Sequence, residues 1–590
     1  MAASSSTDSR SLVGWALVMV FVIVLTVFHL YADHRGLTTP EGMDRAQISR
    51  EIARGNGAVT QNLKPLLVGE RARHAAASGE AVDLAHFEDT YHSPLGLWID
   101  AAVLKLGADN WALETSTDLL APYAPDRMLI ALSMGFLIGS VVLAYLLVAR
   151  IFDHKIGVVV ALVMVLCDLL WDFSRSGLPQ TQMLFFFLAS SFALFRAVEN
   201  QERGEPVVRW IVLASALFGA LALIHWITVW VFLGALVYVM VAFRPRALFA
   251  VVMLSVFAVV IAPALIRNYE VTGHVAGDAR WAVSEGLIGA GGSSDLMRQT
   301  KVERGSIEGL PTRALVTSID QMSNLTSYMG AMFAAPLFFL TLLHRFKRGE
   351  IGDFRWALFS MWVFAVFGMT LFGLEGDEMS TNQMHILFAP LMAAYGVALL
   401  AVLWGRMKFQ GHGAVVTHGY MFIVVALSAL PMLSAVVQTM KGYAWGEYRP
   451  NYPYIPALMQ EVHDWMEDDE IIVSDMPEGV AWYGDRTAIA LPVTSGEFAQ
   501  LESVVKNDGL EIAAVHISPI SANLPLIDGM DRLYKDWREL VAAPQLRRIA
   551  EPNPTQIQLK NFPYRVPNPI LREMTLWAKR PLGPHADRRQ

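Results

Sequence analysis

Two carboxylates, Glu41 and Asp44, stand three residues apart in the stretch Thr39-Pro40-Glu41-Gly42-Met43-Asp44. Thr39 can cap a helix and Pro40 suits its first position, so the stretch predicts a helix beginning at 40 with both acids in its opening turns. The helix should run through Arg54 and stop at Gly55-Asn56-Gly57, which supplies a left-handed closing residue. At a helix N-terminus the backbone dipole favours ionised carboxylates. An ionised carboxylate is what a general base needs, and such acids also occur in ordinary first turns, where they only complement the dipole. Ile48 and Ile52 share one face of the predicted helix, which suggests that it lies along a membrane surface.

The elements that must hold these acids follow from composition. The chain has 590 residues, 54% hydrophobic and 17% charged. Soluble domains are nearer a quarter charged, so the balance is that of a polytopic membrane protein. The net charge of -8 gives no basis for nucleic acid as a partner. A single cysteine, Cys167, excludes a disulfide framework and a cysteine-based metal site.

Apolar runs of spanning length recur at 13–31, 128–149, 156–172, 181–198, 210–224, 227–243, 247–266, 328–343, 355–373, 384–404 and 417–439. That predicts about eleven spans, the first retained rather than cleaved. The short connections alternate in charge. Arg150 and Lys155, then Arg196, Arg203 and Arg209, then Arg244 and Arg246, then Arg345, Lys347 and Arg348, then Arg406 and Lys408 mark one side. By the positive-inside rule these loops and the N-terminus are cytoplasmic. Segments 33–127, 267–327 and 440–590 then lie outside. In the last, Glu470-Ile-Ile-Val-Ser, Thr487-Ala-Ile-Ala-Leu and Glu511-Ile-Ala-Ala-Val-His-Ile read as strands, with helical stretches near 455–467 and 528–541. The expected architecture is an α-helical polytopic membrane domain over 1–439, with an extracytoplasmic α/β domain over 440–590.

The order of these segments resembles the GT-C glycosyltransferases, in particular the bacterial aminoarabinose transferases and the protein O-mannosyltransferase relatives. Those carry, after the first span, an acidic motif of the form Pro-Asp-Glu-x-x-Tyr-x-x-Ile-x-Arg-Glu. Here the loop reads Pro40-Glu41-Gly42-Met43-Asp44-Arg45-Ala46-Gln47-Ile48-Ser49-Arg50-Glu51. Counted back from Ile48-Ser49-Arg50-Glu51, Glu41 falls on the family's catalytic carboxylate and Gly42 replaces its acidic neighbour, while Asp44 is the only aspartate in the helix. Both stand as candidates. His92-Ser93-Pro94 resembles the family's Lys-Pro-Pro turn, and Ser174-Arg175-Ser176-Gly177-Leu178-Pro179-Gln180 a second outer turn with Gln180 where an acid is usual. Pro263-Ala264-Leu265-Ile266-Arg267-Asn268-Tyr269 resembles the stretch leading into the large outer loop, and Ala481-Trp482-Tyr483-Gly484-Asp485-Arg486 the C-terminal domain.

The resemblance implies sugar transfer from a polyprenyl-phosphate donor to an envelope lipid, glycan or protein acceptor on the extracytoplasmic side of a bacterial plasma membrane. A phosphate leaves without needing a proton, so one carboxylate suffices to deprotonate the acceptor, unlike hydrolysis of a glycoside. Cations are needed at the departing phosphate. Arg267, Asn268, His92, Arg175 and His385 are the candidates for donor contact. No cofactor is required, and room is left for an assisting divalent cation. Gly289-Ala-Gly-Gly-Ser-Ser294 is expected to be a loop closing over substrate. A non-catalytic assembly protein of envelope polysaccharide, or a transporter of lipid-linked sugars, are the rival readings.

Overall fold

The computed structural model describes residues 20–79, 82–107, 122–283, 294–302, 310–374, 378–407, 414–442, 451–518, 536–537, 561–567 and 574–582. The glycine-rich segment 289–293 and the helical stretch expected near 528–541 fall outside the described residues, apart from 536–537. After a first apolar helix, Val20–Ala32, the chain forms α1 (Pro40–Arg54), β1 (Asn62–Leu63), α2 (Pro65–Ser78) and α3 (Pro94–Leu106). Then come α4 (Ala124–Ile151), α5 (His154–Val165), α6 (Asp168–Ser176), α7 (Gln180–Glu202), α8 (Val208–Ile224), α9 (Val229–Ala242) and α10 (Arg246–Thr272). Helices α11 (Leu310–Ser323), α12 (Gly349–Phe372) and α13 (His385–Arg406) follow.

This is a multi-pass membrane fold. Among the described residues five helices, α4, α7, α10, α12 and α13, are long and apolar enough to cross a bilayer, or up to seven if two bent pairs each count as one span. The eleven expected runs are therefore not all single straight helices. The run 156–172 breaks at Leu166–Cys167, where Cys167 is extended, and α5 meets α6 at 54°. His225 is extended too, and its ring accepts from Ile227 N, dividing 210–243 into two short helices. The run 328–343 folds as turns and short helical pieces, because Gly330 and Ala331 both take positive φ.

Beyond α13 lie α14 (Pro456–Trp465), β2 (Glu470–Ser474), α15 (Pro477–Gly484), β3 (Ala488–Ala490), β4 (Glu511–Ile517), β5 (Tyr564–Pro567) and β6 (Thr575–Ala578). The sheet order is β1-β3-β2-β4-β6-β5, parallel from β1 through β4 and antiparallel at β6 and β5. Its first strand thus comes from the segment that follows the first apolar helix. Leu67 and Val68 of α2 join Ile471, Val473, Ile489 and Val515 in one apolar core, so α2 covers the sheet. Burying both faces of a mostly parallel sheet requires such a layer.

Candidate active site

Helix α1 forms as its ends predict. Thr39 Oγ1 accepts from Gly42 N at 3.2 Å and Gly55 closes the helix at φ 93°. Its apolar face does not lie on lipid: Ile48 and Ile52 are buried against Leu97 and Ala101 of α3. The expectation of a surface-lying helix is corrected by that packing, since α3 offers an apolar stripe of its own.

The N-terminal end of α1 rests on the turn after α6. Thr39 Oγ1 donates to Ser176 O at 2.8 Å, and a Cβ on Gly42 would stand 2.1 Å from that same oxygen. A side chain there would force the backbone to shift, which favours glycine where the family resemblance leads one to look for an acid. Gly177, at φ 81°, is the facing residue.

Asp44, one turn into α1, is buried at one end of a small cleft lined also by Lys64, Asp89, Tyr91, His92 and Asp278. Gln47 Nε2 donates to Asp44 Oδ1 at 3.2 Å and to Thr60 Oγ1 at 2.8 Å, which fixes the carboxylate's rotamer. Asp44 Oδ2 faces the Lys64 ammonium, with Nζ at 3.6 Å, and the His92 ring, with Nε2 at 3.7 Å. Lys64 Nζ also lies 4.2 Å from the centre of the Tyr91 ring. His92 is oriented from behind by Asp89, whose Oδ1 lies 3.1 Å from Nδ1. Burial alone would raise the Asp89 carboxyl; the charge and hydrogen bonds of His92 outweigh it and hold it below its usual value.

Arg267 reaches the same cluster from α10, donating to Asp89 O at 2.7 Å and pairing with Glu88 Oε2 at 3.4 Å. Its neighbour Asn268 is buried against Gly277 with Nδ2 unpartnered among the described residues. Asp278 closes that wall, accepting from Thr90 Oγ1 at 2.7 Å and Arg71 Nη2 at 3.2 Å.

The remaining candidates stand apart. Arg175 pairs with Asp33 and Asp172 at the C-terminal end of α6. His385 is fully buried, with Nδ1 accepting from Trp362 Nε1 at 3.2 Å and its ring stacked on Tyr328. Gln180 donates to the carbonyls of Ser380 and Thr381 at 3.1 and 2.7 Å, so it ties α7 to the turn before α13.

Glu41 is half-buried on the side of Tyr454, close enough for its charge to act on that phenol. Tyr454 OH donates to Glu478 Oε1 at 2.5 Å. Burial, with the charges of Asp44 and Asp475, pushes Glu478 up to about 7. The C-terminal segment therefore brings a carboxyl within electrostatic reach of the acids of α1.

The other end of α1 is locked. Arg50, fully buried, donates to Trp482 O and Ala481 O, each at 2.7 Å, and pairs with Asp485 Oδ1 at 2.8 Å. Arg54 adds a two-pronged pair to Asp485 at 2.8 and 2.7 Å. Trp482 Nε1 and Tyr483 OH in turn donate to Asp126 of α4 at 2.8 and 3.0 Å. The Ala481–Asp485 motif is thus a clamp between α1 and the bundle.

Lys64, Asp89, Tyr454 and Glu478 were not singled out from the sequence. Lys64 could have been: Lys64-Pro65 is itself a lysine–proline turn, and only one other lysine, Lys105, occurs between 33 and 127. Tyr454 and Glu478 carry no local signal. Around Asp44 the residues do not fit a divalent cation. The Lys64 ammonium occupies its flank, and the described residues contain no group of three or more His, Cys, Asp or Glu able to hold one.

No family model and no curated protein matches the chain. Solved structures do. The Archaeoglobus fulgidus oligosaccharyltransferase complex with Zn and sulfate aligns with a TM-score of 0.53 at 15% identity, covering 88% of this chain and 70% of that one. An AglB oligosaccharyltransferase of the same organism, with an inhibitory peptide and a dolichol-phosphate, gives 0.50 at 13% identity over 85% and 69%. ArnT from Cupriavidus metallidurans bound to undecaprenyl phosphate gives 0.46 at 12% identity over 86% and 94%. At these identities the likeness is one of fold alone, shared with the two oligosaccharyltransferase structures.

Proposed function

We propose that the protein transfers a sugar from a polyprenyl-phosphate donor to an acceptor on the extracytoplasmic face of a bacterial plasma membrane, with Asp44 as the base. The observation that carries this reading is Asp44 itself: a buried carboxylate, fixed by Gln47 and flanked by Lys64 and His92 at a small cleft. The acceptor's hydroxyl or amine gives its proton to Asp44 as its oxygen or nitrogen attacks the anomeric carbon. The bond from that carbon to the phosphate oxygen breaks, and the phosphate leaves with the electron pair. The Lys64 ammonium and a His92 ring N–H meet the charge that develops, where fixed donors in a partly desolvated site stabilise it more than water does. Arg267 holds the turn that carries Asp89 and so positions His92. A single displacement inverts the anomeric centre. Glu41, whose charge acts on the Tyr454 phenol, tunes the Tyr454–Glu478 pair instead. In this reading 1–439 is the membrane domain with outer segments 33–127 and 267–327, and 440–590 is the outer domain that holds α1 in place.

Purified protein in detergent, given labelled polyprenyl-phosphate sugars and candidate acceptors, tests the proposal. Transfer with inverted configuration, lost in Asp44→Asn, is expected. Net retention, or undiminished transfer in the Glu41→Gln/Asp44→Asn double variant, would remove Asp44 as base. Movement of donor across sealed vesicles without any product would favour a transporter.

A further inference from the structure

Helix α11 belongs to the segment 267–327, which its sequence presents as a water-facing loop. Leu315, Val316, Ile319 and Met322 occupy positions i, i+1, i+4 and i+7, a single stripe of the helix, and all four are exposed, Leu315 and Val316 by 60%. The opposite face is polar and bonded. Ser318 Oγ and Gln321 Nε2 lie 3.2 and 3.1 Å from Thr370 Oγ1, and Asp320 accepts from Asn324 Nδ2 at 2.8 Å and Tyr328 OH at 3.1 Å.

Thr370 sits in the last turn of α12, a membrane-crossing helix whose Trp356, Val363 and Phe367 are exposed in the same way. The polar face of α11 therefore docks on the end of a span, and its apolar stripe extends the apolar belt that the span presents to lipid. That end of α12 is on the cleft side: Asn382 donates to Phe372 O, and Gln180, just past the Gly177 turn, holds Ser380 and Thr381. A water-facing helix would place charged or polar groups at these four positions; an interfacial helix places apolar ones there.

We propose that α11 lies in the plane of the bilayer on the cleft side, with Leu315, Val316, Ile319 and Met322 among the acyl chains of that leaflet. It is a membrane-contact element attached to α12 by Ser318 and Gln321, and its other polar contact, Asp320 to Tyr328, links it to the ring stacked on His385. This inference does not depend on the proposed reaction.

Site-directed spin labelling tests it cleanly, because Cys167 is the sole native cysteine and is buried. L315C and I319C are labelled separately in the full chain and placed in lipid nanodiscs, with H86C in the first outer segment, 67% exposed, as the aqueous reference. The expected result is relaxation of the 315 and 319 labels by oxygen several-fold above that by a water-soluble nickel chelate, with the order reversed at 86. A nickel-dominated ratio at 315 and 319 would overturn the proposal. So would spin–spin broadening that appears only with two copies per disc, since a second copy would then cover the stripe. Should either variant fail to fold, V316C and M322C read the same face.

Discussion

The two ends of helix α1 are held in opposite ways. At the C-terminal end Arg50 and Arg54 are matched to Asp485 and to the carbonyls of Ala481 and Trp482 at 2.7–2.8 Å, with hydrogen bonds on several sides. At the N-terminal end Asp44 Oδ2 has Lys64 Nζ and His92 Nε2 at 3.6 and 3.7 Å, beyond hydrogen-bond length, beside a small cleft. A buried charge with close, saturated partners is structural; one whose partners stand back keeps an oxygen able to accept a further hydrogen bond. The helix is rigid between these ends, so the clamp decides where the acid sits. Preorganisation of that kind costs little at the moment of reaction and is where most electrostatic catalysis originates.

The sharpest way to break the comparison is to remove the two acids of the N-terminal end one at a time. Asp44→Asn should lower transfer by roughly 10³-fold, within the range expected for loss of a general base, while the thermal midpoint in detergent stays near that of the parent. Glu41→Gln should cost less than about tenfold on the same scale. Equal losses in the two variants, measured as kcat/KM, would show that the acids act as a pair.

At the clamped end the expected readout is stability. Arg50→Met leaves Asp485 buried with fewer partners, and breaking a buried pair by removing one member costs about 3–5 kcal/mol. The thermal midpoint should fall, and transfer should fall with the fraction of folded protein. A variant that keeps its midpoint but loses transfer would move Arg50 from the clamp to the reaction.

How much of this was legible in the sequence divides along the same line. Thr39, Pro40 and Gly55 announce α1 because capping is local, and β2 and β4 show themselves as short apolar runs. The partner of Arg50 lies more than 400 residues away, at Asp485, and nothing in either segment points to the other. Lys64 was hidden for a different reason: it follows a two-residue strand that exists only because β3 is there to pair with it. Gly42 reads as a missing acid until the carbonyl of Ser176 is seen against it.

A third test uses two carboxyls of the clamp segment that titrate in opposite senses. Burial works to raise Asp485, but the charges of Arg50 and Arg54 overcome it and hold the carboxyl far below the usual range. Its contribution is present at any pH above the unfolded value and is lost only as pH falls through the folded one. Glu478 is raised from 4.5 to about 7, chiefly by burial. Its folded state binds the proton more tightly, so stability falls as pH rises from about 4.5 to about 7, by roughly 3 kcal/mol across the window. Glu478→Gln should flatten that slope in midpoints taken between pH 5 and 7.5. An unchanged slope would show that Glu478 is not the group responsible.

The smallest expected effect concerns the contact that seats the N-terminal end. Gly42→Ala puts a methyl group 2.1 Å from Ser176 O, and neither that carbonyl nor Gly177 behind it can turn aside freely, because both belong to the turn between α6 and α7. Overpacking of this sort costs about 1–3 kcal/mol, relieved by a small shift of the backbone. The C-terminal end of α1 is anchored at Asp485, so the shift must concentrate at residues 40–44, where it displaces Asp44 from Lys64 and His92. Transfer should therefore fall by more than the change in folded fraction accounts for, mainly in kcat. A fall matched by the loss of folded protein alone would mean that the seat serves the fold and leaves the acid's position to Gln47.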